Sequence, residues 1–240
     1  MDPSDTTVVT SQATRDYGYK WFSDGPAILT TPTYDKFMSL SVFDMRHNVP
    51  AFITNPPKPI LLKRPGQAVP AVDFLVVELE TDQGLVLTRM VVVDNLDAVV
   101  ASCSQFQMQG GKGYIQREVK QFSSETTKNA QAVIDTVISY INPDEALGRV
   151  SSDVSFLDLA PGVKLGQLGT PADTVRYATI LVDDTGAPFR GDATYTLTVP
   201  SGLYKLGGYF SVTHYGTDNK LLIPNDLKIY DQITFSSEPN

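Results

Sequence analysis

Short alternating runs of β-branched and aromatic residues, each closed by Gly, Pro, Asn or Asp, recur along most of this chain. Their length and two-residue period predict strands over residues 17–22, 27–31, 37–43, 74–79, 85–93, 177–182, 195–199, 209–215 and 229–235. In LETDQGLVL the stretch 81–84 predicts a hairpin turn, and DDTGAPFRGD (183–192) predicts a second. Turns at this density predict a sandwich or jelly roll rather than a βαβ fold.

The period lengthens to that of a helix in two places. In SSETTKNAQAVIDTVISYINPDEA, Ala130, Val133, Ile134, Val137, Ile138 and Ile141 keep an i, i+3, i+4, i+7 spacing, with Ser124 or Thr126 as cap and Pro143 as stop. VDNLDAVVASCSQF predicts a shorter helix capped by Asp94 or Asn95, with Leu96, Val99, Val100 and Cys103 on one face. Residues 142–170, punctuated by Gly and Pro, read as a loop connector. An echo links the two ends of the chain: ILTTP followed by KFMSLSVFDMRHN, and TLTVP followed, after a longer turn, by GYFSVTHYGTDNK. A duplicated β module follows. The expected architecture is all-β, two packed jelly-roll or β-sandwich modules with two short helices between them. The boundaries are a first module at 1–122, helix and connector at 123–170, and a second β module at 171–240 that completes the sandwich.

Composition mainly excludes. With 42% hydrophobic residues the chain buries an ordinary core, while a net charge of -8 argues against a nucleic-acid or anionic-membrane surface. The one basic cluster, Lys58 to Arg64 in NPPKPILLKRPG, is broken by prolines and reads as a solvated loop. A single cysteine excludes an internal disulfide, and with two histidines the usual zinc sets are out of reach within one chain. LGQLG and QGGKG lack the spacing of a nucleotide loop. No metal and no organic cofactor is expected. No apolar run nears the roughly 20 residues that span a bilayer, and MDPSDTTVVTSQ lacks the regions of a signal peptide, so a soluble, cytoplasmic protein is expected.

Several motifs match a known pairing. YGYKWFSDGPAILTTP and KFMSLSVFDMRHN are similar to a tyrosine-to-tryptophan strand, a DGPVVLTVP-like strand and a strand ending Asp-x-x-x-Asn, which places Tyr17, Trp21, Asp44 and Asn48 on that pattern. TRMVVVDNLDAVVASCSQFQM resembles a closing strand and short helix, with Arg89 at the usual arginine. GDATYTLTVPSG, YFSVTHYGTDNKLLIPN and residues 227–230 are similar to the signature of a second domain. Through these motifs the chain resembles the paired domains of unknown function DUF1254 and DUF1214. It departs from them before Tyr17, where Gln12 to Arg15 replace an Asn-Asn-Asp-Thr run. Members of that family tend to carry an N-terminal helical segment and a longer inter-domain insert, and this chain is expected to be a minimal version without them. The resemblance implies tandem jelly rolls, an architecture shared by carbohydrate-binding modules, some glycan-cleaving amidases and viral capsid subunits. It assigns no function.

Candidate chemistry gathers at strand ends. Arg15, Asp16, Tyr17 and Tyr19 precede Trp21, and Asp44, Arg46, His47 and Asn48 follow the next alternating strand. Should these ends converge, carboxylate, guanidinium and aromatic faces would line one rim for a sugar or small acid. The plainer reading, which is preferred, has Asp44 and Asn48 shaping a turn while Tyr17 and Trp21 pack the core. Strand alternation puts His214 with Phe210 and Val212 on the more apolar face, where a core histidine is favoured over a general base, and Tyr215 on the other. Glu78 and Glu80 share a strand face as a glycosidase pair would, though exposed strands carry such pairs routinely. Asp183, Asp184 and Asp192 could meet calcium in a loop. Cys103 reads as a small buried residue.

The favoured expectation is binding or processing of a small molecule or glycan at a rim or inter-module site, with Asp44 and His214 as catalytic candidates and Arg15, Tyr17, Trp21, Asn48, Arg89 and Tyr215 as ligand contacts. A self-assembling jelly-roll protein, which would form a homo-oligomer, and a cofactor-independent hydrolase, lyase or isomerase are the alternatives. Whether the chain is an enzyme is left open by the sequence.

Overall fold

The computed structural model describes residues 16–23, 26–91, 96–111, 121–141, 155–165, 168–171, 173–178, 180–200, 202, 209–216, 221–224, 226 and 231–235. They fall into two compact units, within Thr14–Val175 and within Arg176–Asn240. The chain is mainly β.

Strands β1 (Asp16–Ser23), β2 (Ala27–Thr30), β3 (Met38–Asp44), β4 (Ala51–Thr54), β5 (Ile60–Lys63), β6 (Leu75–Glu78), β7 (Gln83–Met90) and β8 (Gln107–Gly110) belong to the first unit. One sheet runs β1-β7-β3-β4 and is antiparallel throughout; the other runs β6-β5-β2-β8, with β5 and β6 parallel. Their facing side chains form one core of Ala27, Leu29, Met38, Leu40, Val42, Ile60, Leu62, Val77, Val86 and Met90. At about 1.5–3 kcal/mol per buried aliphatic side chain, this cluster is the main stabilising term of the unit. Helix α1 (Leu96–Cys103) adds Val99, and Cys103 packs partly buried beside it, its Sγ 3.5 Å from Met90 Sδ.

β3 is buried along its whole length. The face turned from the main core holds Phe43, which joins Val49, Leu85, Leu87 and the partly buried Leu168 in a second cluster. Alternation alone predicts a wet face there. Val49 and Leu168 pack over it.

Several expectations need correction. Residues 60–63, read as part of a solvated basic loop, form the buried strand β5, because the Ile-Leu-Leu run outweighs its charged neighbours. Lys63 is 5% exposed, its Nζ donating to Glu78 Oε1 at 2.5 Å on the facing strand and to the Arg64 carbonyl at 3.1 Å. Residues 81–84 do not turn a hairpin. They carry the chain from β6 in one sheet to β7 in the other. A third helix, α3 (Phe156–Leu165), occupies the presumed connector despite an internal Pro161, which together with Gly162 is buried. Helix α2 (Ser124–Val137) is capped by Ser123 rather than Ser124 or Thr126, its Oγ accepting from the Thr126 amide at 3.1 Å. None of its residues is fully buried; Ile134 and Val137 are half-buried, and Asp135 pairs with Lys164 of α3. Asp94, Asn95 and Pro143 lie outside the described residues.

In the second unit β9 (Tyr209–Thr213) pairs antiparallel with β10 (Asp231–Phe235). The turn expected near Asp183 is present: its carboxylate accepts from the amides of Thr185 and Ala187 and from the Thr185 hydroxyl, and a bridge joins Val182 to Pro188. Apart from that bridge, the described residues of 177–182 and 195–199 lie in no strand.

Candidate functional site

The β1-β7-β3-β4 sheet has two chemically different ends. At one, β3 leaves through Asp44–Asn48 into β4. The Asp44 carboxylate, 6% exposed, accepts from the amides of Arg46 (2.8 Å) and Asn48 (3.0 Å) and from Asn48 Nδ2 (2.9 Å), while the Asp44 amide donates to the Asn48 carbonyl (3.1 Å). Both oxygens are thus committed to the turn. This is the local shaping by which Asp and Asn build a turn. His47 sits in the same turn at φ 62, its Nδ1 buried with no hydrogen bond among the described residues. Burial pushes the His47 imidazole below its ordinary pKa, partly opposed by the Asp44 charge. The turn is tied to the β6–β7 crossover: the Met45 amide donates to Thr81 Oγ1 (3.0 Å) and Arg46 pairs with Glu80 at 3.1 Å.

At the other end, two loops that are remote in sequence face each other. The TTPTY loop after β2 and the NPPKP loop after β4 enclose a cleft of about 390 Å³ lined by Thr30, Thr31, Thr33, Tyr34, Asn55 and Lys58, with Met38 and four prolines completing the wall. Asn55 builds it. Held at φ 40, it donates its backbone amide to the Met38 carbonyl (2.9 Å), accepts the Met38 amide on Oδ1 (2.8 Å) and donates Nδ2 to the Lys36 carbonyl (2.9 Å). Asparagine tolerates that left-handed backbone better than most residues. Tyr34 donates its hydroxyl to the Val91 carbonyl. The hydroxyls of Thr30, Thr31 and Thr33 take no partner among the described residues. Lys58 pairs with Asp73 on the loop before β6, at side-chain exposures of 32% and 85%.

Of the residues singled out from the sequence, Arg89 and Asp44 stand apart along the first unit's sheet. Register sets Tyr17 opposite Arg89 and Arg89 opposite Ser39, next to the cleft residue Met38. Asp44 pairs instead with Gly84, five residues further along β3, a separation of roughly 17 Å at strand rise. Trp21 lies between, opposite Leu85. The side chains of Tyr17 and Trp21, and all of Arg15, lie outside the described residues. His214 and Tyr215 belong to the second unit. His214 is exposed rather than in a core, because β9 stops at Thr213 and the chain turns through the Tyr215 to Leu222 bridge. Tyr215 is half-buried.

The acidic pairs are spent as well. Glu78 answers Lys63 and Glu80 answers Arg46, so the two carboxylates address different cations. Asp192 receives both arms of Arg190, which holds its carboxyl below the ordinary range, and Asp183 is lowered by the Thr185 hydroxyl and Ala187 amide. Among the described residues no three His, Cys, Asp or Glu side chains are placed to hold a metal ion. Gly110 of the QGG stretch has a structural role: at φ +79, a Cβ there would stand 2.5 Å from the Pro26 carbonyl oxygen. No described helix is long and apolar enough to cross a membrane.

The sequence reading missed the cleft. Its one available signal was the clustering of proline around threonine and asparagine in both loops, a pattern common to ordinary turns.

A mainly β chain with a preformed cleft at one sheet end defines a class of architecture. Its family follows from two matches: the model of the protein of unknown function DUF1254 covers residues 1–110, and that of the protein of unknown function DUF1214 covers residues 174–239. The chain belongs to the proteins that pair these two domains. It is also similar to the crystal structure of the VPA0106 protein from Vibrio parahaemolyticus, with a TM-score of 0.67 at 17% identity over 94% of this chain and 74% of that one. That likeness concerns the fold. No curated protein matches the chain.

Proposed function

We propose that this protein is a tandem jelly-roll protein that binds a small polar molecule in the cleft between the TTPTY and NPPKP loops. The supporting observation is a cleft of about 390 Å³ whose threonine hydroxyls are unpartnered among the described residues. That volume falls within the range of small-molecule sites. Proline walls and the Asn55 clamp fix the loops before a ligand arrives, which lowers the ordering cost of binding. Arg89, though at the same sheet end, is not among the residues that line the cleft, and the side chain of Tyr17 lies outside the described residues. Asp44 and Asn48 are assigned to the turn. A bound-ligand thermal shift tests the idea: a saturating compound should raise Tm by several degrees, and Thr31→Val with Thr33→Val should erase that rise while leaving the ligand-free Tm within about 1–2 °C. Persistence of the shift in the double variant would place the ligand elsewhere.

Self-assembly is the second reading. Ile180, Leu181, Val182, Phe189, Leu197 and Val199 are large apolar side chains left 38–66% exposed in the second unit, more than a lone surface usually gathers in so short a stretch. A monomeric mass by light scattering at micromolar concentration excludes it.

A further inference from the structure

We infer that the cleft's ligand is a small organic carboxylate, bound by the Lys58 ammonium in exchange for Asp73. This rests on the cleft reading above and narrows it to a ligand class.

The inference comes from which polar groups are still available. The Asn55 amide is spent on Met38 and Lys36, and the Tyr34 hydroxyl on Val91. What the lining offers a ligand is three threonine hydroxyls and one ammonium. No lining residue is acidic. A neutral sugar is usually gripped by carboxylates and side-chain amides on its hydroxyls, and this cleft has no carboxylate and holds its one side-chain amide in the bonds to Met38 and Lys36. Hydroxyl donors beside a single ammonium instead suit a single carboxylate. A phosphate dianion carries two charges and is better matched by a guanidinium fork, a helix N-terminus or several cations, whereas a single ammonium lines this cleft.

Asp73 supplies the exchange. Its side chain is 85% exposed, so its pairing with Lys58 is worth little and yields readily to a competitor held by additional hydroxyls. It also keeps the ammonium paired when the cleft is empty. On a chain of net charge -8 an anion is repelled in general, so a local cation decides whether it binds at all.

Calorimetric titration of the full chain with glycolate, malate and citrate, against glucose and inorganic phosphate, tests this. Carboxylates should bind, Lys58→Gln should weaken them about tenfold or more, and Asp73→Asn should tighten them about two- to fivefold by removing the internal competitor. Carboxylate affinity unchanged in Lys58→Gln overturns the inference. Glucose or phosphate binding preferentially, and lost in the Thr31→Val, Thr33→Val variant, overturns the carboxylate assignment but keeps the cleft. Binding of no compound overturns both.

Discussion

The Asp44–Asn48 turn and the Asn55–Pro59 loop stand at opposite ends of β3 and use the same residue types for different ends. In the turn, acid, amide and backbone close on one another until both Asp44 oxygens are occupied. In the loop, Asn55 does the closing alone, and the neighbouring threonines and Lys58 face a cleft. A polar residue at a strand end therefore indicates function only after its hydrogen bonds are accounted for. The richer-looking motif, Asp-x-x-x-Asn, is the self-satisfied one.

The comparison breaks most directly at Asp44. Replacing it with alanine strips charge-assisted bonds from two amides and the Asn48 side chain in a site 6% exposed. The expected loss is about 3 kcal/mol, or roughly 6–12 °C in Tm, with ligand affinity at the cleft unchanged. Urea denaturation measures the first and titration the second. A stable Asp44→Ala protein that has lost ligand binding would reverse the roles given to the two ends.

Asn55→Ala should cost less, roughly 2 kcal/mol, from two hydrogen bonds and the poorer fit of alanine to φ 40. Unlike the turn variant it should also weaken the ligand, because the clamp that sets the loop is gone. Asn55→Gly separates the contributions. Glycine accepts the backbone angle but restores neither bond, so stability should recover in part while affinity stays low.

Part of the first unit was legible in the sequence because some strands carry their own alternation: β1, β2 and β3 fall within a residue or two of expectation, whereas β4, β5 and β8 were not expected as strands. What failed depended on partners the sequence does not print. Residues 81–84 have hairpin chemistry, but β7 pairs with β1 and β3 rather than β6. Pro161 and Gly162 disguise α3, whose burial overrides their poor helix propensity. His214 was assigned by alternation to an apolar face, yet the strand ends one residue before it. The candidate site was the least legible part, since threonine, proline and lysine from two loops mean nothing until β2 and β4 bring them together. Arg89 and Asp44 stand at opposite ends of the sheet, a separation that follows from strand register and not from either motif.

The finest distinction between the two ends is their response to pH. His47 lies in the turn at φ 62 with Nδ1 buried and unpartnered among the described residues, and burial depresses its pKa from about 6.5, with Asp44 opposing. Between the folded value and about 6.5 the unfolded chain binds the extra proton, so this residue's contribution to stability is present above about 6.5 and lost as pH falls through the folded value. Protonation would also place an N–H where no acceptor waits, and the charged groups near it, Asp44 and the Arg46–Glu80 pair, are already committed to the turn. His47→Asn removes the titration and suits the left-handed backbone. The difference in Tm between pH 7 and pH 5.5 should therefore shrink in the variant, while carboxylate binding at the cleft keeps the pH dependence of the parent. An unchanged Tm difference would mean that the acid sensitivity of this protein resides in its carboxylates and not in the turn.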